Sequence, residues 1–107
     1  MKRSTISNMK IGPYKYEVHY IDDLKDPDNN NRLHGMHSHS KLEIMCEGMD
    51  HPQVQIATIW HEAMHAAFDL SGVNIGDQAE ETVCTALSPI IIQMIRDNPK
   101  LVKATLG

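Results

Sequence analysis

His61, Glu62 and His65 stand in the order H-E-x-x-H, and these side chains at this spacing can build the working half of a zinc site. Residues four apart on an α-helix differ by about 40° around its axis, so both imidazoles leave the same side, one turn apart. Two nitrogens presented that way supply half of a tetrahedral zinc coordination. Glu62, about 100° away, would reach a zinc-held water without being a ligand. Such a water titrates near about 7, and a neighbouring carboxylate can take its proton as it attacks a carbonyl. His61 and His65 are therefore expected to be metal ligands and Glu62 the catalytic base. The competing reading is chance, because the chain holds seven histidines. At its own His and Glu frequencies, a shuffled chain would contain the motif about once in forty. A requirement for mid-helix placement lowers that further.

Catalytic zinc sites keep three protein ligands and leave a position for water. Glu80 and Glu81 are the nearest carboxylates on the next helical segment. On a helical wheel Glu80 falls in line with Val83, Leu87, Ile90 and Met94, the face expected to turn inward, and Glu81 lies about 100° off it. A carboxylate on a packed face is costly unless paired or metal-bound, which places Glu80 ahead of Glu81 as third ligand. Asp69, four residues after His65, competes as a ligand or as a partner orienting an imidazole. His34, His37 and His39 sit in a Gly- and Ser-containing stretch that reads as a solvated loop. With Tyr20, they are the candidates for stabilising an oxyanion. His19 and His51 carry no signal beyond composition.

The elements around these residues follow from periodicity and turn chemistry. Residues 9–20 read as a hairpin turning at Gly12-Pro13, and 21–33 as a polar connection with a turn at Asp26-Pro27-Asp28-Asn29. In 41–47, Leu42, Ile44 and Cys46 alternate with Lys41, Glu43, Met45 and Glu47, the pattern of a half-buried strand. That strand is expected to edge the cleft and to pair with extended substrate. Asp50 is the expected N-cap of a helix with Pro52 in its first turn, ending at Ser71-Gly72. Its apolar stripe is Ile56, Ile59, Trp60, Ala63, Met64, Ala67 and Phe68, with both motif histidines at the stripe's edge. Asp77 is the expected cap of a second helix, kinked or broken near Ser88 by Pro89. Asn98-Pro99 opens a short last helix. Strands first and helices after give an α+β plan, with a small antiparallel sheet packed on the motif helix.

Composition narrows the partners. The 107 residues suit one domain covering 1–107. With 10 basic and 14 acidic side chains, the net charge of −4 lacks the basic footprint of a nucleic-acid binder. No apolar run approaches membrane-spanning length, and the basic start at residues 1–5 lacks the apolar stretch of a signal peptide. A soluble cytoplasmic protein is the expectation. Cys46 and Cys84 are too few and too separated for a disulfide framework or a Cys-based zinc site, and read as buried thiols. The outer side of Ile90-Ile91-Ile92 offers a surface through which a homodimer would form.

The residues from Trp60 through His61-Glu62-Ala63-Met64-His65, followed by a helix bearing Glu80-Glu81 and ending in Arg96-Asp97-Asn98-Pro99, resemble the small phage and prophage HExxH metallopeptidases. That group is similar to the ImmA/IrrE-type peptidases among the gluzincin-like zincins. The resemblance covers most of the chain, and only HExxH is specific. It implies a zincin-like minimal domain and a zinc-dependent hydrolase acting on peptide or protein substrates. His61 and His65 would be ligands, Glu62 the base, and Glu80 or Glu81 the third ligand. The chain lacks the Glu-x-Glu-Ala pattern of the larger relatives, and Pro89 interrupts its glutamate helix. An alternative function of another class is a regulatory metal-binding module without turnover.

Overall fold

Gly12 adopts φ 56° and Pro13 follows it, which closes a tight turn between β1 (Arg3–Ile11) and β2 (Tyr14–Ile21). The hairpin is longer than its sequence pattern suggests, with a register shift between Thr5 and Ser7. A computed structural model describes residues 3–107; Met1 and Lys2, the start of the basic stretch, lie outside the described residues. After β2 the chain makes the expected polar turn. Asp26 Oδ1 accepts from the Asp28 N–H at 2.8 Å, and Asn29 Oδ1 from the Asn31 N–H at 2.9 Å.

The next segment departs from expectation. Gly35–Ser38 forms a strand, β3, antiparallel to β4 (Glu43–Glu47). β4 pairs on its other side with β2 in parallel, so the sheet is mixed, in the order β1-β2-β4-β3, and not antiparallel throughout. Strand 41–47 therefore lies inside the sheet and does not edge the cleft; β3 is the edge. The physical reason is side-chain content. β4 carries Ile44 and Cys46, both fully buried, while β3 offers Gly35, Met36, His37 and Ser38, all half-buried and tolerant of an edge.

Glu47 breaks the alternation expected of β4, being 1% exposed. Its carboxylate accepts the backbone N–H groups of Asp23, Leu24 and Met49 at 2.8–3.1 Å, which satisfies it internally.

Helix α1 (Pro52–Ser71) starts one residue later than expected. The N-cap is His51, whose Nδ1 accepts from the Gln53 N–H at 3.1 Å, and Asp50 instead meets His34. Gly72 at φ 75° ends the helix in the left-handed conformation. Buried Gln55 donates to the carbonyls of Glu47 and Gly48, tying the start of α1 to the end of β4. The sheet-facing core joins Tyr16, Val18 and Ile44 to Ala63 and Ala66, flanked by Ile59 and Leu70. Ala66, not the exposed Ala67, faces inward, so the stripe is turned from the sequence expectation. Alanine there lets helix and sheet approach closely.

Helix α2 (Asp77–Asp97) packs on α1, and α3 (Pro99–Thr105) follows Asn98. Gly76 is the N-cap of α2 and Asp77 its first residue. Pro89 lies within the helix, which continues through Ser88 without a break. The expected inward line is overturned: Cys84, Ser88 and Ile92 are buried, whereas Leu87, Ile90 and Met94 are exposed. Small side chains at 84 and 88 permit close approach to α1, and that face wins over the more apolar one. Ile92 is thus buried and Ile90 exposed within the isoleucine run. No helix among the described residues is long and apolar enough to cross a membrane.

Candidate metal centre

The middle of α1 carries His61 and His65 on the side turned to α2, and the rotation of α2 brings Glu81 over them. His61 Nε2 lies 2.9 Å from Glu81 Oε1, His65 Nε2 lies 2.8 Å from Glu81 Oε2, and the two Nε2 atoms are 3.2 Å apart. One ligand atom from each of these three residues fits within a 4.8 Å cluster. A tetrahedral zinc ion with bonds of 2.0–2.1 Å sets its ligand atoms about 3.3 Å apart. Two imidazole nitrogens and a carboxylate, spaced close to that value, fit zinc in chemistry and in size.

Glu80, placed ahead of Glu81 on the sequence wheel, occupies a different position. Its Oε2 is 2.6 Å from His65 Nδ1, on the far side of the ring from the convergent nitrogens. A carboxylate there holds the proton on Nδ1 and leaves Nε2 free to bind a cation. Glu81 is held in turn by Thr85, whose hydroxyl donates to Oε1 at 3.2 Å. The grouping therefore takes Glu81 as its third member and Glu80 as the group that orients His65.

Glu62 stands outside the cluster and lines the cleft beside it. Its Oε1 meets His37 Nδ1 at 3.1 Å, while His37 Nε2 meets Asp69 Oδ2 at 3.0 Å. The His37 ring lies almost parallel to that of His65, at 6° with centroids 5.7 Å apart. His37 is therefore not a solvated loop residue. Strand alternation points Gly35 and His37 to the same face, and Gly35 lets β3 come against α1. A Cβ at that position would sit 2.3 Å from Thr58 Cγ2 and 3.1 Å from Glu62 Cγ. The spacing Gly35-x-His37 was the available signal, and it is legible only once the segment is known to be a strand.

The other candidates disperse. Asp69 orients an imidazole, but that of His37 and not of a motif histidine. His34 pairs with Asp50 at 2.7 Å, and His39 Nδ1 with the Tyr16 hydroxyl at 2.8 Å. Tyr20 and His39 are not among the residues lining the cleft, whereas His34 is.

Carboxylates dominate the electrostatics. The hydrogen bond to Glu62 outweighs burial and, with that to Asp69, raises the pKa of His37 above its ordinary 6.5. Burial pulls His65 down, but the hydrogen bonds to Glu80 and Glu81 overcome it and raise its pKa. Burial pushes Glu81 up, and the contacts with His65, His61 and Thr85 reverse this to a net lowering. Nearby, burial with the charges of Glu80 and Glu81 pushes the Cys84 thiol up to about 11, and burial carries Cys46 to about 12. Neither thiol is a ready metal ligand or nucleophile near neutral pH.

The cluster opens on a cleft of about 680 Å³ between β3, α1 and α2, lined on one side by His34 and Gly35 and on the others by Val54, Thr58, Thr85 and Pro89. Among the described residues, no Lys or Arg lines it. No protein-family model, curated protein or solved structure matches the chain.

Proposed function

We propose that this chain is a zinc-dependent peptidase on a minimal zincin-like domain, hydrolysing peptide bonds with Glu62 as general base. The observation that carries the reading is the convergence of His61 Nε2, His65 Nε2 and the Glu81 carboxylate at a cleft that Glu62 also lines. A bound zinc would supply Lewis acidity toward the scissile carbonyl and lower the pKa of a coordinated water to about 7. His61, His65 and Glu81 would hold it.

The chain's own residues account for the rest. Glu62 takes the proton of the attacking water and returns it to the leaving amine. His37 keeps the Glu62 carboxylate in one orientation, anchored from behind by Asp69. Glu80 fixes the His65 ring and its tautomer. β3, as the edge strand beside the motif helix, is available to pair with an extended substrate backbone.

The test uses protein purified without a histidine tag. Mass spectrometry should find close to one zinc per chain, in keeping with a three-ligand site. A zinc-loaded Glu62→Gln variant should retain the metal and lose cleavage of fluorescently labelled casein. Retention of zinc with no cleavage by the wild type on any peptide library would favour the alternative, a regulatory metal-binding module. Absence of zinc after loading would end both readings.

A further inference from the structure

Beyond the cluster, α2 forms one wall of the cleft through Thr85, Ser88 and Pro89. Two polar groups of that wall stand apart from the helix's own hydrogen bonding. Ser88 is 3% exposed as a residue, its hydroxyl makes no hydrogen bond among the described residues, and it is not one of their buried unmet polar atoms, so the surface it keeps is open to the cleft it lines. A hydroxyl open to a cleft is free to bond water or a bound ligand, as donor or as acceptor. Pro89 sits within the helix and has no N–H. The Thr85 carbonyl, four residues earlier, therefore loses the donor that the helical ladder would supply. A proline inside an otherwise continuous helix is costly, and here it falls where the helix faces the cleft.

We propose that this wall reads the backbone of an extended peptide, the Ser88 hydroxyl donating to a substrate carbonyl and the Thr85 carbonyl accepting from a substrate N–H. One donor and one acceptor on neighbouring turns match the alternating polarity of a peptide backbone, and beyond Glu81 no charged side chain of α2 lines the cleft among the described residues. Ser88 lies two turns beyond Glu81, about 10 Å along the axis at 1.5 Å per residue. An extended chain at about 3.3 Å per residue covers that in three residues, so the pair engages substrate a few residues from the scissile bond. The substrate class is thus an extended peptide segment recognised through its main chain on the α2 wall, opposite β3. The inference rests on the peptidase reading.

Two probes separate it from that reading. Acetohydroxamate contacts only the metal; a hydroxamate of an uncharged tripeptide amide also spans the cleft. Both are titrated into the zinc-loaded full chain by calorimetry, together with tripeptide hydroxamates N-methylated at each amide in turn. The tripeptide probe should bind more tightly, and one N-methylation should weaken it about five- to tenfold, the value of one hydrogen bond. Ser88→Ala should cost a similar factor. Pro89→Ala, which restores the helical donor to Thr85, should weaken the parent probe and abolish the N-methyl penalty. Acetohydroxamate affinity should be the same in all three proteins. If acetohydroxamate fails to bind the wild type, the metal-centre reading falls and this inference with it. If it binds but no single N-methylation and neither variant alters the tripeptide affinity, the backbone-reading wall is wrong and the metal centre stands.

Discussion

Replacing Glu80 and Glu81 separately by Ala distinguishes a carboxylate that binds metal from one that orients a ligand. Glu80 touches His65 only at Nδ1, 2.6 Å away, so Glu80→Ala removes an orienting partner and leaves the donor atoms in place. Such losses reduce metal affinity by about 10–100-fold, equivalent to about 1.4–2.7 kcal/mol. Glu81 approaches both Nε2 atoms, at 2.9 and 2.8 Å, through its two oxygens. Glu81→Ala removes a donor and its negative charge, so the loss should exceed that range, by more than about 100-fold. Its side chain is 58% exposed, so the variant should fold normally. The assay is competition for zinc against a chromophoric chelator near neutral pH, with circular dichroism of the metal-free proteins to confirm equal folding. Equal losses, or a larger loss for Glu80→Ala, would refute the ligand assignment and return Glu80 to first place.

Three further outcomes are expected. His37→Ala should leave zinc content unchanged and lower peptidase turnover by about 100-fold, because Glu62 loses the group that aims it; steady-state kinetics showing a change in KM alone would contradict this. Gly35→Ala should destabilise by about 1–3 kcal/mol through its clash with Thr58 Cγ2, and adding Thr58→Ala should recover most of that in urea unfolding. For pH, the pKa values of His37 and His65 are raised by folding, so their contribution is fully present below 6.5 and is lost as pH climbs through the raised values. The Tm of metal-free protein should therefore fall over that window, while the increment from zinc should grow as His65 releases the proton on Nε2. A parallel pH dependence with and without zinc would argue against His65 as a ligand.

The motif was fully legible in the sequence because its geometry is local. Helical periodicity over Pro52–Ser71 puts His61 and His65 on one side whatever surrounds them. The Gly12-Pro13 turn, the Gly72 stop and the short helix after Asn98 were equally local. The failures share the opposite property. β3 has no apolar alternation of its own and exists because β4 offers it a ladder, so His37 read as solvent-exposed. The parallel pairing of β2 with β4 joins segments separated by the whole polar connection and β3.

The choice between the two carboxylates shows the division most clearly. The sequence determined that a carboxylate pair follows the motif by one helix. Which member meets the histidines depends on the rotation of α2, and hydrophobicity alone favoured Val83, Leu87, Ile90 and Met94 as the inward line. Packing chose Cys84, Ser88 and Ile92 instead, because small side chains let two helices come close. That turn of the helix puts Glu81 at the nitrogens and Glu80 behind His65, and it lays Thr85, Ser88 and Pro89 along the cleft. Local sequence set the chemistry available; the fit between helix surfaces decided which atoms would meet.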